Sequence, residues 1–353
     1  MPAFRALVLV AALFAVAQPA TAQVDITLID VGQGDSILVT FPPLADGTRR
    51  RMLIDGGVST SNNAPVVRFL QSQGIQELDW VVLSHPHVDH FGGLIPVLNQ
   101  FTVREVWTNN ESRTCPANPQ TRCDWRDFVN ARANATHIVP TQGMTRTSSR
   151  AKVEVLMVGG MHPDNGGGDD INNDSLSLML TYKGRKALFT GDIEEDGGLD
   201  LVNRYCSPTR DTCGKLNSDI IKIPHHGSDH LSPRFVELAA AEMVLISAGF
   251  RNEAFHHPRT EALQAYVDLV SDPDRRPEFF STSANRDRDD HITVTIAANG
   301  EIVPPTFQAG QTYTAWSELD DGSVCASGIT HDTDPDGNPR YCLVLVPQGQ
   351  APQ

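Results

Sequence analysis

Residues 80–94 read WVVLSHPHVDHFGGL: an apolar run, then three histidines and an aspartate within six positions, then a diglycine. WVVLS has the composition of a buried strand, so the ligand-type side chains fall where that strand ends. Alternate residues of an extended segment point the same way, which lets His85 and His87 converge on one ion, with Pro86 stiffening the backbone between them. Asp89 and His90 follow at a turn from which they can face a second ion. Imidazole and carboxylate suit zinc, with manganese or iron as alternatives, and two ions about 3.5–4 Å apart can hold a hydroxide between them. The competing reading is a polar loop with incidental histidines.

A metal site requires further ligands on other strand ends. KALFTGD places Asp192 at the exit of an apolar strand, and DIIKIPHHGS places His225 and His226 at the exit of another. Alone, Asp192 would read as a helix N-cap and the two histidines as exposed loop residues. Ligands at three strand exits of one chain favour the metal reading.

Working outward, VDITLID (24–30), SILVTF (36–41) and RMLID (51–55) read as three antiparallel strands, followed by a helix over 64–74 that ends on a glycine. Helices over 92–101 and 125–134 come next, the second flanked by short strands at REVWT and HIV. The pattern then restarts: strands over 152–158, 175–182 and 186–192, a helix in EEDGGLDLVNRY, a strand over 219–223, a helix over 233–241 and a strand over 243–249. A helix over 260–270 and strands at EFFST and HITVTI complete the second unit. Two similar units of strands followed by strand–helix alternation mark an α/β protein built on two sheets. Residues 23–300 form one domain in this reading, and 301–353 a β-rich C-terminal extension.

Residues 1–22 carry Arg5, an apolar stretch over 6–17 and then Ala20-Thr21-Ala22, the layout of a secretory leader cleaved after Ala22. The apolar stretch is short of the roughly 20 residues that cross a bilayer, so no stable membrane insertion is expected. The expectation is a secreted or periplasmic protein. The six cysteines agree, since Cys115/Cys123, Cys206/Cys213 and Cys325/Cys342 form close pairs in loops and export permits disulfides. A zinc cluster is the alternative, but no pair has the two-residue spacing of a zinc knuckle. Losing Arg5 with the leader leaves 27 basic and 43 acidic side chains, a net of −16. That charge disfavours nucleic acid as a partner without excluding a local basic groove.

HPHVDH, TGD and PHHGS in this order resemble the metallo-β-lactamase superfamily. IDVGQGDSILV (29–39), LIDGG (53–57), NNDSLSLML (172–180), IKIPHHGS (221–228) and ISAG…HHP (246–258) narrow the likeness to the hydrolase domain of ComEC competence proteins and its stand-alone secreted relatives. The resemblance implies a four-layer α/β/β/α sandwich with metal at one edge. It implies His85 and His87 on one ion, Asp89, His90 and a histidine of PHHGS on the other, and Asp192 bridging them, with one or two ions per chain. Of that pair His225, which follows the strand most closely, is the favoured ligand. His226 would then contact substrate or support a ligand. His257 is a candidate proton donor or substrate contact, with His256 as the alternative. Many superfamily members carry a further histidine before TGD, where this chain has Asn172-Asn173-Asp174. Asn173 or a water could stand in, as could His162 through a glycine-rich loop. Asp30, Gln33, Asp35 and Asp55 lie in loops that the resemblance places near the site, where a carboxylate can orient a ligating imidazole through its second nitrogen.

Catalytic roles accordingly fall to Asp89, Asp192, His226 and His257. The expected function is that of an exported metal-dependent hydrolase in which a metal-bound hydroxide attacks a phosphodiester, as a phosphodiesterase or nuclease, on a small-molecule or phosphodiester substrate. Lactone, β-lactam or other ester hydrolysis on the same site is the alternative, and a non-catalytic binding protein with a degraded site the third. Two features serve as decoys. D332-T-D334-P-D336-G337 opens like a calcium loop but has Leu343 at its twelfth position and reads as a hairpin turn. GGGDDINND (166–174) reads as a solvated, mobile loop.

Overall fold

The computed structural model describes residues 22–159, 171–206, 213–249, 257–268, 277–282, 291–305, 313–317 and 342–346. Three strands open the chain, β1 (Val24–Leu28), β2 (Ile37–Thr40) and β3 (Arg51–Ile54), each antiparallel to the one before. Helix α1 (Pro65–Ser72) starts on a proline, whose missing N–H is no loss at that position, and leads into β4 (Glu77–Val82). Two short helices, α2 (Val88–Phe91) and α3 (Leu94–Gln100), precede β5 (Thr102–Trp107), α4 (Asp124–Arg132) and β6 (Thr136–Ile138). Strands β3 to β6 run parallel.

The second unit holds β7 (Thr145–Ser148), β8 (Ala151–Met157), β9 (Ser177–Tyr182) and β10 (Arg185–Phe189), all antiparallel. It continues with α5 (Glu195–Tyr205), β11 (Ile220–Lys222), α6 (Pro233–Ala239), β12 (Met243–Ile246), α7 (Thr260–Asp268) and β13 (Glu278–Ser281). Strands β10 to β13 are parallel. Ser232 caps α6 by accepting a hydrogen bond from Phe235 N–H.

Strand β14 (Ile292–Ile296) corrects the sequence reading. It leaves the second unit and pairs antiparallel with β1, register Val24 to Ile296, carrying β15 (Ile302–Val303) on its outer edge. The sheets are therefore β15-β14-β1-β2-β3-β4-β5-β6 and β13-β12-β11-β10-β9-β8-β7. A further two-stranded sheet pairs β16 (Tyr313–Ser317) antiparallel with β17 (Cys342–Val346).

Three buried clusters define the layers. Between the sheets, Ile26, Leu28, Trp80, Val82 and Trp107 meet Val153, Leu178, Leu180, Ala187, Phe189 and Leu245. A second cluster lies under α1, α3 and α4, and a third under α5, α6 and α7. Along β9 to β12 alternate residues divide between the inter-sheet and helix-side clusters, as a period of two demands of strands buried on both faces. The result is the four-layer α/β/β/α sandwich.

Cys115–Cys123 and Cys206–Cys213 are disulfides, with Cα separations of 5.8 and 4.7 Å. Among the described residues, no helix is long and apolar enough to cross a membrane. Residues 171–174 depart from the expected solvated loop: Asn172, Asn173 and Asp174 are buried. Asn173 Oδ1 accepts from the N–H groups of Glu194 and Gly197, both at 2.9 Å, so this segment fastens the start of α5. Residues 1–21, expected as a leader, His162, residues 166–170, His256, Cys325 and residues 332–337, expected as a turn, lie outside the described residues.

Candidate metal centre

The site gathers at the carboxyl ends of parallel strands, where the loops of an α/β sheet are free to converge. Beyond β3 stands Asp55, beyond β4 the run Ser84–His90, beyond β10 Asp192, beyond β11 His225 and His226, and beyond β12 Ser247. The β1–β2 loop adds Gln33 and Asp35.

Backbone contacts lock these loops together. Asp55 N–H donates to Val82 O and Gly56 N–H to His90 O, each at 2.8 Å, pinning the 55–57 turn to both ends of the histidine run. Gly34 has φ +100°, and a Cβ there would meet Asp89 O at 1.8 Å. Only glycine allows the β1–β2 loop to rest on helix α2 this closely. The PHHG turn is strained, since His225 (φ +46°) and His226 (φ +55°) both adopt the left-handed region.

Asp192 Oδ2 is the focus. His90 Nε2 stands 3.0 Å from it, His226 Nε2 3.1 Å and His85 Nε2 4.0 Å. Asp89 Oδ2 is 3.7 Å from His226 Nε2 and accepts a hydrogen bond from Gln33 Nε2 at 3.1 Å. Behind the two closest rings stand carboxylates: Asp55 Oδ2 lies 2.9 Å from His90 Nδ1, and Asp35 Oδ1 3.0 Å from His226 Nδ1. Asp55 is itself held by Ser84, whose N–H and hydroxyl donate to it at 2.8 and 2.7 Å.

Charge follows this geometry. Burial disfavours the imidazolium of His90, but Asp192 and Asp55 outweigh it and hold the ring well above its ordinary pKa. Burial likewise opposes the charge on His226, yet Asp192 and Asp35 raise it to about 9. Burial would raise Asp192, but His226 and His90 hold it well below the usual carboxylate range. His85 goes the other way: burial, then the charge of His90, pushes it well below its ordinary value.

These residues fit a divalent cation. His226 Nε2 is buried and makes no hydrogen bond, which is costly unless another partner faces it. Protons on His90 and His226 occupy the nitrogens a cation needs, so cation binding would release them. His85/His90/Asp192, Asp89/His90/His226 and Asp35/Asp192/His226 each bring three donor atoms within reach of one ion.

Of the sequence candidates, the structure brings together Asp89, His90, Asp192 and His226, with His85 at the border. His87 Nδ1 faces His85 Nε2 at 2.9 Å. His225 Nε2 is 3.9 Å from Asp192 Oδ2, as near as His85, but its Nδ1 is turned to Glu194 Oε1 at 3.0 Å. Neither His87 nor His225 enters a three-donor cluster among the described residues. Asn173 Oδ1 is engaged at the start of α5, as described above. The half-buried His257 ring stacks on His226 at 6.0 Å, and burial, followed by the charges of His226 and His225, lowers it to about 3.

Sequence reasoning missed Glu194 and Lys222. Glu194 carried a signal, being two residues beyond Asp192. Lys222 carried a subtler one: in DIIKI it shares the inter-sheet face with Ile220.

The family profile described as "Metallo-beta-lactamase superfamily" matches residues 29–274. The ComE operon protein 3 of Bacillus subtilis (strain 168) is 26% identical over 256 residues, covering 68% of this chain and 30% of that protein. The competence protein ComA of Neisseria gonorrhoeae is 28% identical over 248 residues, covering 69% and 29%. The chain thus spans less than a third of these curated relatives. Among solved structures, Tm1679, described as a metal-dependent hydrolase of the β-lactamase superfamily, aligns with TM-score 0.45 and 15% identity, covering 80% of this chain and 100% of that one.

Proposed function

The chain belongs to the metallo-β-lactamase superfamily, mostly metal-dependent hydrolases, and from that premise we propose that it is an exported hydrolase of phosphodiesters. The observation that carries the reading is the convergence of His90 Nε2 and His226 Nε2 on Asp192 Oδ2. In this reading Asp89, His90, His226 and Asp192 hold the firmer cation, zinc by preference with manganese or iron as alternatives. His226 takes the place the sequence reading gave to His225. His85 and His87 form a second, weaker position. A cation bound there would supply Lewis acidity toward the substrate and acidify a water molecule.

The chain's own residues do the rest. Asp55 fixes the orientation of His90, and the Ser247 carbonyl with Asp35 beside it fixes that of His226, so each presents its Nε2 and not its Nδ1 to the centre. Gln33 holds Asp89. His257, neutral near pH 7, accepts hydrogen bonds and suits contact with substrate better than proton donation. His225, oriented by Glu194, borders the same space. The net charge of −15 favours a small phosphodiester over long nucleic acid. The likeness to competence proteins fits a phosphodiester substrate, and the two disulfides fit an oxidising compartment.

The test is metal analysis of the purified protein together with turnover on a phosphodiester, DNA and a lactone panel. Bound metal with phosphodiester cleavage, both lost in Asp89→Ala, is the expected result. Lactone turnover with inert phosphodiesters would replace the substrate class, and absence of both metal and turnover would remove the enzymatic reading. Mass spectrometry of the exported protein is expected to show Gln23 as its first residue.

A further inference from the structure

Lys222 is fully buried, the one lysine among the largest fully buried side chains of the described residues. It lies on β11, pointing with Ile220 into the space between the sheets, at the end of the strand that opens onto the metal centre. An ammonium there is severely costly unless paired. Its Nζ lies 2.5 Å from Asp35 Oδ2 and 3.7 Å from Asp192 Oδ1. Each of these carboxylates turns its other oxygen elsewhere. Asp35 Oδ1 faces His226 Nδ1 at 3.0 Å, and Asp192 Oδ2 faces the imidazole nitrogens of His90, His226, His225 and His85.

We propose that Lys222 is a positioning residue, a fixed internal cation that keeps Asp192 monodentate and limits how tightly the centre holds its metal. The inference rests on the metal-centre reading above. Asp192 has two oxygens, and a cation at the centre would gain from both. With Oδ1 drawn toward the ammonium, only Oδ2 is presented to the histidine side. The same ammonium neutralises Asp35, so that carboxylate orients His226 without adding a full negative charge to the site. A weaker hold on the metal leaves it more strongly polarising toward substrate, since fewer ligand charges offset its own. Lys222 also joins the two halves of the fold at the site: Asp35 belongs to a loop of the first sheet, while Asp192 follows a strand of the second.

A merely structural lysine and this one predict opposite outcomes. Zinc and manganese affinities of the mature full-length protein are measured by chelator competition for wild type and Lys222→Met, which keeps the side-chain length and removes the charge. Loss of a charge this close to the cation is expected to tighten zinc binding by about tenfold or more while turnover falls. Since the bare substitution could prevent folding, Asp35→Asn and Asp35→Asn/Lys222→Met are compared as a second pair. Here the buried charges leave together, and the same tightening is expected between the two. Unchanged or weaker zinc binding in the folded methionine variants overturns the role of Lys222 and leaves the metal centre standing. A wild-type protein that binds no metal overturns both.

Discussion

The two halves of the cluster differ in what stands behind their imidazoles. His90 and His226 each have a carboxylate beside the second ring nitrogen, Asp55 at 2.9 Å and Asp35 at 3.0 Å, and His226 Nδ1 also has the Ser247 carbonyl as its hydrogen-bond acceptor at 2.9 Å. His85 has only hydroxyls there, Ser84 Oγ at 3.0 Å and Ser175 Oγ at 3.3 Å. A carboxylate fixes the tautomer, raises the basicity of the ligand and favours positive charge at the ring; a hydroxyl orients the ring without doing so. The pKa directions differ in the same sense: against burial, Asp192 first and then Asp55 or Asp35 raise His90 and His226, while burial, then the charge of His90, lowers His85. Residue identity alone would make these histidines equivalent, and their partners make them unequal.

That contrast can be broken by substitution. The largest effect is expected at the focus: Asp192→Ala removes the oxygen shared by both halves and should lower turnover by about 10³-fold, with loss of bound metal by elemental analysis. Asp55→Asn keeps the shape but removes the charge behind His90, and metal affinity by chelator competition should fall roughly 10- to 100-fold. Ser175→Ala removes a hydroxyl beside His85 Nδ1 and the acceptor of the Asp192 N–H; as the loss of two neutral hydrogen bonds, it should cost less than Asp55→Asn, about tenfold or under in the same assay.

The pH dependence sharpens the same contrast. The folded pKa of His226 is about 9 against an ordinary 6.5, so its contribution to the stability of chelator-treated protein is fully present below pH 6.5 and is lost as pH rises through 9. The thermal midpoint of chelator-treated protein should therefore fall by a few degrees over that window. Zinc-loaded protein, with the ring proton already displaced, should not show this loss.

Much of this was legible in the sequence. The apolar strands ending in HPHVDH, TGD and PHHGS announced both the sheets and the ligand-rich edge, because strand ends are where an α/β sheet exposes loops. Three things were not legible. The return of HITVTI to β1 depends on a pairing far apart in sequence, which local periodicity does not encode. The choice between His225 and His226 depends on two consecutive left-handed residues, which turn the second ring inward and the first toward Glu194. The acidic stretch GGGDDINND (166–174) looked solvated by composition, yet in its described end Asn172 donates to Glu194 Oε1 and Asn173 fastens α5, so these polar groups find protein partners instead of water.

The central claim is that the carboxylate-backed half is where a cation binds. Anomalous diffraction at the zinc edge, on crystals of the zinc-loaded protein, tests it directly. The account predicts a strong peak enclosed by Asp89, His90, His226 and Asp192, with any peak at His85 and His87 weaker. A peak at His85 and His87 alone, or none at either place, would contradict it.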